Sequence, residues 1–89
     1  MFHRNEIELI VTEKAAIAAK ATGTEGITMD ATLGEDLLLS SLASIELTLL
    51  LEAALDMRIP LARVVDSATL GDCADLIEGL LAQGMAAQS

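Results

Sequence analysis

The segment LGEDLLLSSLASIELTLLLEAAL, residues 33–55, changes its pattern at a pair of serines. Before Ser40 it combines acids, a glycine and three consecutive leucines, as expected of a loop that packs against a core. From Ser41 onward it favours a hydrophobic helix, with Ser40 as the N-cap because its side-chain oxygen can accept a backbone N–H. Ser41 then lies in the first turn, at the positive end of the helix dipole, where a phosphate group is well accommodated.

The second helix is predicted to run from about Ser41 to Leu55 and to be apolar around most of its circumference. Its apolar positions are Leu42, Ile45, Leu47, Leu49, Leu50, Leu51 and Leu55. A helix of this kind is buried, or divides its faces between a core and a ligand or partner, and full burial is hard to arrange in so short a chain. We expect Leu47, Leu51 and Leu55 to form the buried face. Ile77 of the last helix should meet them, and another face should contact a partner.

The first and third helices are predicted from caps and periodicity. The first covers about residues 5–20, with Asn5 as its cap and Glu8 three residues on, as in a capping box. Its buried face consists of residues that recur with helical spacing: Ile7, Ile10, Val11, Ile17 and Ala18. Pro60 can begin a short third helix that ends near Val65.

A long loop is predicted over residues 21–40, beginning at a turn marked by Gly23 and Gly26. Its apolar residues imply that it lies against the core: Ile27, Met29, Leu33, Leu37, Leu38 and Leu39. No alternating strand pattern is present, so the predicted fold class is all-α, a four-helix bundle with this loop between the first two helices.

The last helix has a clear start and a clear apolar face. Thr69 is its predicted N-cap, with Asp72 three residues later, and Gly84 suits its end, which leaves residues 85–89 to fray. Its apolar stripe comprises Leu70, Cys73, Ala74, Ile77, Leu80 and Leu81.

Composition and charge restrict the possible functions. A length of 89 residues with 53% hydrophobic residues predicts one folded domain. Fourteen acids against five bases give a formal charge of −9, which disfavours nucleic acid as a partner and suggests basic partner surfaces.

The chain has one cysteine and one histidine, and this excludes several kinds of site. Cys73 is the only cysteine, so an intramolecular disulfide and a thiolate metal cluster are excluded. Glu35 and Asp36 are adjacent acids, but the lone His3 is remote, so we predict no metal site and no catalytic residues. The chain has no apolar run of membrane-spanning length and no signal-peptide pattern. A cytoplasmic monomer without membrane insertion is the resulting expectation.

Several short motifs follow one another with the spacing of one family. They are Leu33-Gly34, Asp36-Leu37, Ser41-Leu42, Ile45-Glu46-Leu47, Leu51-Glu52, Ile59-Pro60 and Thr69-Leu70-Gly71-Asp72. Together they resemble the acyl carrier protein family over roughly residues 30–80, and we expect one carrier domain over residues 1–89.

The resemblance implies that Ser41 carries a covalent 4′-phosphopantetheine arm, donated from coenzyme A by a phosphopantetheinyl transferase. The thiol of the arm would hold an acyl thioester and present it to enzymes of fatty-acid, polyketide or related lipid synthesis. It also implies partner contacts on and after the first turn of the second helix: Ser40, Leu42, Glu46, Leu49 and Glu52.

The chain departs from the family pattern at the positions that partners contact. Ser40 replaces the aspartate that usually precedes the attachment serine. Ala43, Ala53 and Ala54 occupy positions where acids are common, and the third helix, Leu61-Ala62-Arg63-Val64-Val65, lacks the usual acids. We therefore expect a specialised carrier with a dedicated, more apolar partner interface.

Two other functions fit parts of the sequence. An aminoacyl or peptidyl carrier has the same fold, but the loop before Ser41 lacks the Gly and His residues common in many such carriers, which favours acyl cargo. A helical interaction module without an arm would use Ser40 and Ser41 only as caps.

Overall fold

Four helices form the regular structure of the computed structural model, which describes residues 2–21 and 23–83. They are α1 (Arg4–Ala18), α2 (Ser41–Leu55), α3 (Leu61–Val65) and α4 (Leu70–Ala82). Over these residues there is no strand, and extended pairing is limited to one antiparallel bridge between Thr32 and Thr69. The all-α, four-helix prediction is confirmed. The predicted stop at Gly84 and the fraying of residues 85–89 lie outside the described residues.

The N-caps of α2 and α4 are the predicted ones, whereas Pro60, predicted to begin the third helix, is its N-cap, so α3 begins one residue later. The Oγ of Ser40 accepts the N–H of Ala43 at 3.2 Å. Thr69 and Asp72 form a reciprocal capping box, with both side-chain to backbone distances at 3.2 Å. Pro60 precedes α3. A side-chain cap of this type stabilises a helix by about 1 kcal/mol, which explains why these starts could be predicted.

The start of α1 differs from the prediction. The helix begins at Arg4 with His3 as its N-cap, so Asn5 lies inside the first turn. Glu6 rather than Glu8 completes the cap, since its Oε1 accepts the N–H of His3 at 2.8 Å. The carboxylate of Glu8 is instead paired with Arg4 at 2.8 Å.

Arg4 explains the earlier start because it joins α1 to α4. Its Nη1 lies 2.6 Å from Asp75 and 2.9 Å from Glu78, while its Nε pairs with Glu8. Its side chain is 33% exposed, so solvent screens these pairs. The cluster therefore mainly orients the two helices.

The predicted buried face of α1 is wrong at Ile17. That side chain is 50% exposed, and at 100° per residue it lies about 120° around the helix from the buried Val11. The helix ends at Ala18 with Lys20 in a left-handed conformation, φ 59°, slightly before the predicted end. Ile7, Val11 and Ala18 are buried as predicted, and Ile10 packs partly against the core.

The predicted long loop is tied to the start of α4. The N–H of Leu70 bonds the carbonyl of Ala31 at 3.0 Å, and the N–H of Gly71 bonds the carbonyl of Met29 at 2.8 Å. A Cβ on Gly71 would lie 3.2 Å from that Met29 oxygen, so glycine permits the close approach. The loop therefore packs on the bundle, as its apolar content predicted.

Most of the apolar residues of the loop pack against the core, but one of them does not. Leu33 is buried, while Ile27, Met29, Leu37 and Leu39 pack partly against the core. Leu38, which was also expected to face the core, is 78% exposed, so that expectation is wrong. The reason lies in its backbone, which is left-handed at φ 53°.

Buried residues of all four helices and of the loop form one hydrophobic core. Leu47 and Leu51 are fully buried and Leu55 and Ile77 nearly so, and all four belong to this core, as predicted. α2 packs against α1 and α3, and α4 packs against α1 and α3. The inner face of α2 is thereby fixed, which leaves its first turn and its outer face to the solvent.

Candidate functional site

Ser41 is the first helical residue of α2, and its side chain is exposed. Ser40 before it is also exposed, but its Oγ is occupied by the N–H of Ala43. The hydroxyl of Ser41 has no hydrogen-bond partner among the described residues. The two adjacent serines therefore differ: Ser40 caps the helix, and the hydroxyl of Ser41 makes no hydrogen bond to the described residues.

The first turn of α2 suits a phosphate attached to Ser41. Ser40 takes the N–H of Ala43 with its side chain and the N–H of Ser44 with its carbonyl, at 3.2 and 2.9 Å. The N–H groups of Ser41 and Leu42 have no partner in the part of the chain that the structure describes. They are available to a phosphate, and no acid lies in this first turn to repel it.

The surface beside Ser41 is apolar. Leu42 is 76% exposed, Ile45 39% and Leu49 60%. Their spacing of three and four residues places them on one side of the helix, together with the exposed Glu46. We call these four residues the outer face of α2.

Glu52, three residues after Leu49, follows the outer face on the same side of α2 but has a role in the fold. It is half-buried, and its Oε2 accepts the N–H of Ile59 at 2.9 Å across the turn between α2 and α3. Ile59 itself is buried. Sequence reasoning selected Glu52 as a partner contact and missed this hydrogen bond, since nothing in the motif indicates that the carboxylate turns toward the backbone.

A family model described as the phosphopantetheine attachment site matches residues 15–77, well over half of the chain. The chain belongs to this phosphopantetheine-attachment family. No curated protein matches it. The predicted resemblance to carrier proteins is thus confirmed, and the matched segment includes all of α2 and the loop before it.

Membership in the phosphopantetheine-attachment family gives the chain a general function. Domains of this family are non-catalytic and carry 4′-phosphopantetheine, so this chain is a phosphopantetheine carrier that works with modifying and loading enzymes. The arm supplies a terminal thiol that holds cargo as a thioester. The membership favours the carrier over an interaction module without an arm.

The remaining candidate groups are structural. The Asp36 carboxylate accepts the N–H of Thr32 at 2.9 Å, and the Thr32 hydroxyl accepts the N–H of Asp36 at 2.9 Å, which closes a loop turn. Burial raises the pKa of the Cys73 thiol, which disfavours the reactive thiolate. Among the described residues no group of His, Cys, Asp and Glu could hold a metal ion. None of their helices is long and apolar enough to cross a membrane.

Proposed function

We propose that Ser41 is the attachment residue and that the chain is an acyl carrier protein. It would hold an acyl thioester on the 4′-phosphopantetheine arm and present it to enzymes of fatty-acid, polyketide or related lipid synthesis. The observation that supports this most strongly is the exposed hydroxyl of Ser41 at the start of α2, which, like the N–H groups of Ser41 and Leu42, has no partner among residues 2–21 and 23–83.

Comparison of the serines in the matched segment supports the choice of Ser41. That segment contains four serines. Ser40 caps α2, Ser44 is only 8% exposed, and the Oγ of Ser67 donates to the carbonyl of Arg63 at 3.0 Å. Ser41 alone among the four combines exposure with a hydroxyl that makes no hydrogen bond to the described residues.

Attachment of the arm requires that the Ser41 Oγ be accessible and that it point in a fixed direction. A transferase would join the Ser41 Oγ to the phosphate of the pantetheine arm and break the pyrophosphate P–O bond of coenzyme A, and the adenosine 3′,5′-bisphosphate and the serine proton would leave. The rigid first turn of α2 fixes the direction of the oxygen, and the N–H groups of Ser41 and Leu42 favour the negative charge of the phosphodiester.

Partner enzymes would contact the start and the outer face of α2. The expected contacts are Ser40, Leu42, Glu46, Leu49 and Glu52. Glu46 is the one acid on the outer face, so most of that contact would be apolar burial. Burying two leucines would contribute about 3 to 6 kcal/mol before the costs of association.

The attachment is tested by intact mass and peptide mapping after incubation with coenzyme A and several purified phosphopantetheinyl transferases. Wild type and Ser40→Ala should gain one phosphopantetheine, whereas Ser41→Ala should gain none while keeping the helical circular dichroism of wild type. An arm mapped to Ser40, or modification of Ser41→Ala, would refute the assignment.

The cargo is tested on the chain bearing the arm. We propose acyl rather than aminoacyl cargo because the loop before Ser41 lacks the Gly and His residues common in many aminoacyl carriers. Incubation with ATP and either a fatty-acid-activating or an amino-acid-activating enzyme should give a mass gain with the first. A gain with amino acids alone would identify an aminoacyl carrier.

We further propose that residues 1–89 act as one carrier unit in the cytoplasm. The shared core of the four helices supports one unit. The free, buried Cys73 and the net charge of −9 are compatible with a reducing, aqueous compartment. Fractionation of cells that express the tagged chain tests this localisation.

A further inference from the structure

Among residues 2–21 and 23–83, three non-glycine residues have a left-handed backbone, and one of them is not explained by the fold. They are Lys20 at φ 59°, Leu38 at φ 53° and Asp56 at φ 52°. Lys20 follows the end of α1 and Asp56 is the C-cap of α2, where a left-handed residue commonly ends a helix. Leu38 lies within the loop, away from any helix C-terminus.

Leucine is a poor choice for this position by two criteria. A left-handed conformation brings the Cβ close to the following carbonyl, which disfavours leucine but not glycine. The side chain is also 78% exposed, so it gains little from burial in the isolated chain. Glycine would suit the backbone better, and a polar residue would suit the solvent better.

The residues on either side of Leu38 hold it in place. The N–H of Leu37 bonds the carbonyl of Thr32 at 3.0 Å, and the N–H of Leu39 bonds the carbonyl of Leu33 at 2.8 Å. Leu37 and Leu39 also pack partly against the core. Because both neighbours are anchored, the exposed Leu38 side chain projects from a fixed backbone.

This projection lies next to the proposed attachment residue. Three peptide units separate Leu38 from Ser41, so their Cα atoms are at most about 11 Å apart. Leu42, 76% exposed, follows Ser41 directly. An enzyme that encloses the Ser41 hydroxyl therefore approaches an exposed leucine shortly before it and another directly after it in the sequence.

We propose that Leu38 is a specificity-determining contact, whose side chain enters an apolar recess of the transferase that modifies Ser41. This inference rests on the proposed attachment at Ser41. A projecting apolar group that is already fixed loses little conformational freedom on binding, so its burial contributes efficiently to recognition.

The test compares Leu38→Gly with Lys20→Gly in the full chain, using coenzyme A and a transferase that modifies wild type. Both variants place glycine at a left-handed position, so both should unfold at or above the wild-type midpoint. Leu38→Gly should lower kcat/KM for modification roughly 10- to 100-fold, as expected for the loss of one buried leucine. Lys20→Gly should stay within about twofold, and Leu38→Met should recover most of the wild-type rate because it restores a large apolar side chain.

Each other outcome has a defined meaning. A Leu38→Gly rate within twofold of wild type, an equal loss for Lys20→Gly, or a lowered unfolding midpoint for Leu38→Gly overturns this inference but leaves attachment at Ser41 intact. If no transferase modifies wild type, or if the arm maps elsewhere, the proposed attachment fails and this inference fails with it.

Discussion

The α1–α4 side of the molecule and the α2–α3 side present different chemistry to the solvent. Residues 41–65, which contain α2 and α3, have three acids and two bases, a net charge of −1, so −8 of the total of −9 lies elsewhere. On the α1–α4 side, Arg4 joins the two helices through carboxylates. On the α2–α3 side, large apolar residues are exposed, among them Leu42, Leu49 and Val65.

This difference in surface chemistry suggests that solubility and partner recognition depend on different parts of the molecule. α1 also exposes Leu9 and Ile17, but Glu13 lies between them in sequence and is exposed. A strong net charge keeps a small domain dispersed wherever it is placed, because the repulsion is long-ranged. The low net charge of residues 41–65 leaves the outer face of α2 largely free for apolar contacts, while residues 21–40, just before Ser41, carry −4 of the remaining charge. Four pairs of substitutions test this division.

The largest effect should come from the inner face of α2. Leu51 is fully buried, so Leu51→Ala should lower the free energy of unfolding by about 2 to 5 kcal/mol. Leu49→Ala, on the exposed face of the same helix, should cost less than about 0.5 kcal/mol. Urea denaturation of both variants measures the contrast, and similar losses would show that the two faces of α2 are not distinct.

The outer face should matter next, for partner binding. Leu49→Asp should weaken affinity for the loading enzyme by about 1.5 to 3 kcal/mol, since a leucine that binding would bury is replaced by a charge. Glu52→Ala should weaken it less, and wild-type affinity should change little between low and high salt. Isothermal titration at both salt concentrations is the measurement. A steep salt dependence, or a larger loss for Glu52→Ala, would indicate an electrostatic interface.

Glu52 should affect the fold more than Glu46. Removing its carboxylate leaves the N–H of the buried Ile59 without its partner, so Glu52→Ala should cost about 1 to 3 kcal/mol of stability. Glu46→Ala is the matched control, since that acid is exposed, and it should be nearly neutral. Thermal unfolding compares them, and equal midpoints would mean that the Glu52 hydrogen bond contributes nothing.

The smallest effect should come from the cap. Ser40→Ala removes the acceptor for the N–H of Ala43 and should cost about 1 kcal/mol, while Ser41→Ala should leave stability nearly unchanged. Chemical denaturation resolves such a difference. A larger loss for Ser41→Ala would reverse the roles that the structure gives the two serines.

The fold was predictable where a local signal was strong. Ser40 and Thr69 are good caps before apolar periodic segments, and both helices begin where these residues indicate. α1 was less predictable, because Asn5 is the better cap by type. Its start depends on Arg4 contacts with α4, whose partners are about seventy residues away along the chain.

The candidate site was predictable in part for the same reason. The position of Ser41 follows from the cap, and its exposure follows from the helix phase. The left-handed backbone of Leu38 could not be predicted, because a run of three leucines does not indicate which of them faces outward. The hydrogen bond of Glu52 spans seven residues and a turn, and it depends on the position of Ile59 in the folded chain.

The attachment of the long loop to α4 has a consequence for engineering. Although it contains no helix or strand, the segment from Met29 to Leu33 is constrained as a strand would be, by hydrogen bonds to the start of α4 and by the close approach at Gly71. An epitope or fluorophore sequence inserted there would push the loop off the bundle and disturb the path to Ser41. The exposed Glu25 offers a position for a label in the same loop, whereas Gly26 after it has φ 83° and is best kept as glycine.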